Sequence, residues 1–339
     1  MTIDGGYDCT NEVHVNLASA WLALLEACEM NYRLLNAIAV RNSELEFTVN
    51  GFLELSAESV VAQYPFSHEA VRLATVARRR HARCVKSLAK LNRSEIAVIT
   101  REMRLYPAVL HRTLGDQAPP VLCVAGNLSL LGVANAVAVV GARVAGTRSI
   151  ATATILAGQL AQQGITVVSG NADGVDAAAH LGALRAGGTT VLVLPRGILT
   201  LRLRDVFRRL ASPERLLAVS QFPPEAKWVR EQALSRNKTV AALSGAVIVV
   251  EAERVSGTMS TALSAISLNK PVFVVCEPDG ATPFSGNRAL LDRGAQRLIL
   301  ESGRHADMEL IGRALVEPEQ LLVPKGGATR DELQSMLDL

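Results

Sequence analysis

The chain has 339 residues, of which 49% are hydrophobic and 20% charged, and its formal net charge is +3. That length predicts two domains or one domain with an appendage, and the composition excludes a mainly disordered chain. With aromatics at only 4%, the core must be built from Ala, Val, Leu and Ile, which suit helices packed closely on a parallel sheet.

Met1 to Thr10 is polar and acidic and lacks the basic and apolar stretches of a secretion signal. No run of 18 apolar residues predicts a membrane span. Cys9, Cys28, Cys84, Cys123 and Cys276 are scattered without CxxC spacing. The expectation is a cytoplasmic protein with buried thiols, no disulfide framework, no metal and no cofactor.

In chain order, residues 1–103 read as a helical region. Val13, Leu17, Trp21 and Leu24 recur at helical spacing, as do Leu34, Leu35 and Ile38. Its charges balance and its histidines (His14, His68, His81) lack metal-ligand spacing, so protein contacts are its expected task. The stretch 69–91 is a basic helix carrying Arg72, Arg78, Arg79, Arg80, Arg83 and Lys86. Its charges read first as a solvated face over Val71, Leu73, Val76 and Val85, and alternatively as a phosphate-contacting surface.

From 121 the pattern changes to short apolar runs: Val121–Val124, Ala136–Val140, Ile165–Ser169, Thr189–Leu194, Leu216–Val219, Ala246–Val250 and Pro271–Val275. Between them lie helical stretches near 148–163, 174–186, 203–211, 229–243 and 258–268. This alternation predicts a mostly parallel sheet with helices on both faces. Residues 121–300 carry a net charge of +7, against 0 for 1–120 and −4 for 301–339, so an anionic ligand fits the middle of the chain. The acidic end, 301–339, predicts a tail with a break at 324–327 and a short helix at Thr329–Leu339.

In open α/β sheets, ligands sit beyond the carboxyl ends of the strands, and the unusual residues cluster there. Gly141-Ala142-Arg143 follows one strand, so a sharp turn can present Arg143 to a phosphate near a helix N-terminus. Ser169-Gly170 follows the next strand and leads to Asp176 and His180, four apart on one helix face. These read as a structural pair, Asp176 closing the helix start and His180 bonded to it, in preference to an acid/base pair. Arg236-Asn237-Lys238 lies on a helix that could grip phosphates or simply face solvent. Ser256-Gly257-Thr258 opens a helix in an arrangement that suits either an anion or an ordinary cap. Asn287, in Ser285-Gly286-Asn287-Arg288, reads as a surface turn or a further ligand contact. No complete catalytic constellation is found.

The runs VAVVGAR, VVSGNADGVDAAAH, VSQFPP, RNKTVAALSGAVIVVEA, SGTMSTALSA and SGNRALLDRGA, taken in order, resemble the DprA/Smf proteins, Rossmann-like members of the SLOG superfamily. The resemblance covers about 104–300. It implies a Rossmann-like domain over 104–300 that binds single-stranded DNA without being an enzyme, in DNA processing and recombination. It also implies a recombinase as protein partner and a homodimer. The implied DNA-site residues are Arg143, the Arg236-Asn237-Lys238 helix and the Ser256-Gly257 helix start. The chain departs from the family pattern at Ala142 (usually Ser), Asp173 (usually basic), Ala233-Leu234 (usually an aromatic and Pro) and Cys276-Glu277 (usually Pro-Gly). The acidic replacements weaken the expected attraction for phosphate, and the lost aromatic removes a stacking surface. Two further readings follow. One is a regulatory relative acting through a protein partner, such as the antitoxin of a toxin–antitoxin pair or a phage-defence component. The other is a SLOG-type nucleotide sensor.

Overall fold

The structure is a computed structural model, and it describes residues 2–3, 7–8, 12–203, 205–210, 212–301 and 305–322. Cys9 and the predicted tail helix Thr329–Leu339 lie outside the described residues. The chain divides into two compact units, and each takes segments that are far apart in sequence.

Unit 1 comprises 1–128, 196–201 and 219–227. The two-residue strands β1 (Thr2–Ile3) and β2 (Tyr7–Asp8) pair antiparallel. Helices α1 (Glu12–Ala27), α2 (Tyr32–Glu44), α3 (Val49–Glu54), α4 (Ala57–Gln63) and α5 (Ser67–Arg93) follow. Asn31, Thr48 and Ser56 cap α2, α3 and α4, each accepting a hydrogen bond from an N–H of the first turn. The expectation of helices to residue 103 fails at its end. Ile96–Thr100 forms a strand, β3, whose residues are all buried. It pairs antiparallel with β4 (Val121–Gly126), and α6 (Ala108–Leu114) lies between them in sequence. Trp21, Leu24, Leu35, Ile38, Phe52, Leu88, Leu91 and Ile99 are fully buried and form the core of this unit. The indole N–H of Trp21 donates to Glu102 at 2.7 Å.

Unit 2 comprises 129–195, 202–218 and 228–339. Its elements are β5 (Ala136–Gly141), α7 (Thr147–Gln162), β6 (Thr166–Ser169), α8 (Val175–Arg185), β7 (Thr190–Val193), α9 (Asp205–Leu210) and β8 (Leu216–Ser220), of which the last two residues belong to unit 1. Then come α10 (Arg230–Ala242), β9 (Ala246–Glu251), α11 (Gly257–Ser267), β10 (Val272–Cys276), α12 (Ser285–Asp292), β11 (Gln296–Glu301), β12 (His305–Ala306) and α13 (Met308–Val316). The strand order is β12-β11-β10-β9-β5-β6-β7-β8. β5–β6, β6–β7, β5–β9, β9–β10 and β10–β11 are parallel, and the short β12 runs antiparallel to β11. This is the mixed α/β, mostly parallel architecture that the alternating runs predict. Val137, Val139, Leu156, Leu160, Val167, Ile248, Val250, Phe273 and Leu298 form its core. Ile311 and Ala314 of α13 are fully buried in the same cluster, so part of the predicted tail packs as an element of the sheet domain.

β5 and β9 are neighbours although three strands separate them in sequence. From β5 the chain first builds outward through β6 and β7, then returns to lay β9 on the other side. That reversal leaves a crevice beyond the carboxyl ends of β5 and β9, the switch point at which open parallel sheets bind ligands.

Candidate functional site

The crevice is a cavity of about 530 Å³. Its floor is built by three strand ends. At the first, the register between β5 and β9 shifts between Val140 and Gly141, where the pairing ends on Gly141 and Glu251. Gly141, Ala142 and Arg143 then line the cavity. At the second, Gly170 follows β6. A side chain at Gly170 would meet the guanidinium of Arg236, which would have to shift from its present place. At the third, Ala252 and Glu253 follow β9.

Two helices complete the walls. Ser256 caps α11, accepting from the Met259 N–H at 3.1 Å and donating to the Glu253 carbonyl at 2.8 Å. Gly257 and Thr258 occupy the first turn, where backbone N–H groups have no partner within the helix. Both line the cavity. Their N–H groups and the helix dipole favour an anion there. Helix α10 contributes Arg230, Ala233, Leu234, Arg236 and Asn237.

Arg236 does not lie on a solvated face. It is buried and donates to the carbonyl oxygens of Gly170 and Val193. Burial pulls its guanidinium down to about 10; Asp176 opposes that shift and Arg143 adds to it. Asp176 is also buried, and its carboxylate accepts from the N–H groups of Gly170 (3.2 Å) and Ala172 (3.3 Å). Burial pushes its carboxyl up, against the opposing pull of Arg236 and these N–H groups. The two charges thus stitch α10 and α8 to the turn after β6. His180 places Nδ1 2.7 Å from Thr190 Oγ1 on β7, away from the cavity lining.

The remaining predicted residues fall into two groups. Asn237 lines the cavity and donates its amide to the Gly257 carbonyl at 3.1 Å, tying α10 to the start of α11. Ser169, Lys238 and Asn287 are not among the lining residues. The Ser169 hydroxyl donates to the Val139 carbonyl at 2.7 Å. Asn287, fully buried, accepts from the Ala252 N–H and donates to the Val250 carbonyl, so it holds the end of β9 instead of forming a surface turn. Lys238 is half-buried on α10.

Of the acidic departures, Asp173 is outside the lining, and Glu277 pairs with Arg148 beside a separate cavity along α7 and β10. Glu253 does line the site, where it accepts a hydrogen bond from Ser285. The residue that the motifs missed is Trp228. It is 47% exposed, and the Arg143 guanidinium lies over its ring, 5.6 Å from the centroid. Its signal in the sequence was a tryptophan between Lys227 and Arg230 in a chain that has only two.

In unit 1 four of the eight basic side chains of α5 have partners within the unit. Arg78 donates to the carbonyls of Leu53 and Leu55, and Arg80 to that of Glu26. Arg83 pairs with Glu26, and Lys90 with Glu225 at 2.8 Å. Among the described residues, no group of three or more His, Cys, Asp or Glu side chains could hold a metal ion, and no helix is long and apolar enough to cross a membrane.

Residues 97–306 match the family model described as DNA recombination-mediator protein A. A putative DNA processing protein DprA of Mycobacterium tuberculosis is 33% identical over 237 residues, 64% of this chain and 60% of that protein. Protein Smf of Escherichia coli is 32% identical over 211 residues, 62% of this chain and 56% of that protein. The matched stretch therefore spans little more than half of each curated relative. Among solved structures, DNA processing protein A of Streptococcus pneumoniae superposes with a TM-score of 0.64 at 24% identity, over 83% of this chain and 94% of that one, a likeness of fold. The DNA processing protein A of Helicobacter pylori, described for its single-stranded DNA binding mode, superposes with a TM-score of 0.51 at 29% identity, over 60% of this chain and 90% of that one.

Proposed function

The chain belongs to the DNA recombination-mediator protein A family, and from that membership we propose that it binds single-stranded DNA in the cavity at the β5/β9 switch point. The observation that carries this reading is the convergence there of a capped helix start with Arg143 and Arg230. Phosphate oxygens accept from both kinds of donor, and such contacts position a strand without reading its sequence. Arg143 and Arg230 are the candidate phosphate contacts, together with the N–H groups of Gly257 and Thr258. Gly141, Gly170, Arg236 and Asn237 shape the cavity, while Ser169 and Asn287 hold the strand ends that form it. Asp176 supports the turn after β6, and His180 packs against Thr190 of β7.

The reading is of a binding role, as family membership supports; of the two carboxylates at the cavity, Asp176 accepts from backbone N–H groups and Glu253 from Ser285. In the cytoplasm, delivery of the strand to a recombinase and action as a homodimer are the extensions of this reading.

Fluorescence anisotropy with a single strand and a duplex at two salt concentrations tests it. Tighter, salt-sensitive binding of the single strand is expected. Arg143→Ala should weaken binding and reduce the log–log salt slope by about 0.7, the value for one phosphate contact on a single strand. Absence of binding to either DNA at both salts would contradict the reading and favour a role through a protein partner or a nucleotide ligand.

A further inference from the structure

We propose that Trp228 is the platform on which a nucleobase of the bound strand stacks, an inference that rests on reading the cavity as a site for single-stranded DNA. A single strand offers two chemistries, a charged backbone and flat apolar bases. The arginines and the start of α11 answer the first. The second needs an aromatic face, and among the described residues Trp228 is the only aromatic one lining the cavity. Helix α10 supplies none, since Ala233 and Leu234 stand at the cavity wall.

The state of the ring fits that task. Tryptophan is normally well buried, as Trp21 is, with no exposure at all; Trp228 is 47% exposed. The Arg143 guanidinium lies over one face of the ring. That contact restrains the indole at no expense to its other face, and it fixes a positive charge beside the place a base would occupy. One arginine therefore orients the stacking surface and remains next to the phosphate that accompanies the base. Because every base has a flat π face, such a platform tolerates any sequence.

The test compares wild type, Trp228→Ala and Trp228→Phe, each titrated with oligo-dT and with a strand of the same length made of abasic sugar-phosphate. Anisotropy gives the affinities and indole fluorescence reports the ring. For oligo-dT, Trp228→Ala should bind roughly 5- to 150-fold more weakly, as expected for loss of one stacked base. Trp228→Phe should recover most of that loss. The abasic strand should bind wild type and Trp228→Ala alike, and the salt slope for oligo-dT should not change. Wild-type indole emission should change on adding oligo-dT and hardly at all on adding the abasic strand. Equal binding of oligo-dT by wild type and Trp228→Ala would overturn the stacking role and leave the DNA reading standing. An equal loss on both strands would also overturn it, since the ring would then act only through Arg143. Failure of wild type to bind either strand would overturn this inference and the DNA reading together.

Discussion

Asp176 and Arg236 show how a charge can serve a site from beneath it. Both are buried, and both are bonded to the backbone of the turn after β6. Removing one leaves the other as an uncompensated buried charge. Arg236→Ala should therefore destabilise the fold by about 3–5 kcal/mol, read from denaturant unfolding. The double change Asp176→Asn with Arg236→Met should cost less than the sum of the two single changes, and an additive result would mean that the two groups do not act as a pair. Ser256→Ala removes the cap of α11 and should cost about 0.5–2 kcal/mol, weakening DNA binding as the helix start frays. Gly141, Arg143, Gly170 and Ser256 were legible in the sequence because each follows an apolar strand run. Arg236 was legible as a candidate but not as a buried charge, because an arginine two positions from a lysine on a helix looks solvated unless its helix is known to face the sheet. Trp228 was not, because it lies in an irregular segment with no periodicity to mark its neighbours.

Among the elements, the longest apolar runs were the easiest to read, because doubly covered parallel strands leave an uninterrupted signature such as Val137-Ala138-Val139-Val140. β3 was missed because only two residues separate Ile96–Thr100 from a 27-residue helix, and four apolar residues and a threonine continue a helix as readily as they begin a strand. Helix α13 was missed because the acidic composition around it concealed two core positions, Ile311 and Ala314. The basic face of α5 was read on its exposed charges, whereas Arg78 and Arg80 reach back to carbonyls at the ends of shorter helices. Contact between α7 and α8 depends on a small residue. A side chain at Gly182 would collide with the Thr154 carbonyl. Gly182→Ala should therefore lower stability by about 1–3 kcal/mol, measured by thermal or chemical unfolding. An unchanged midpoint would show that the two helices can part without loss.

At the scale of the molecule, the units are not contiguous in sequence. Unit 1 takes back the segments 196–201 and 219–227 from the middle of the sheet-forming stretch. The Gly197 N–H donates to the Ala226 carbonyl at 2.9 Å, and Glu225 meets Lys90 of α5. No local pattern announces such pairings, which is why a boundary near 103 looked natural from composition alone. The candidate cavity, by contrast, lies wholly within unit 2 and is lined by residues between 140 and 261. The central claim is that a single DNA strand occupies this cavity, and amide hydrogen exchange of the full chain with and without oligo-dT tests it most directly. The account predicts slowed exchange in three places, the turn after β5 at 141–146, the turn after β6 at 170–174, and the start of α11 at 253–260. Protection confined to α5, with those three segments unchanged, would contradict it.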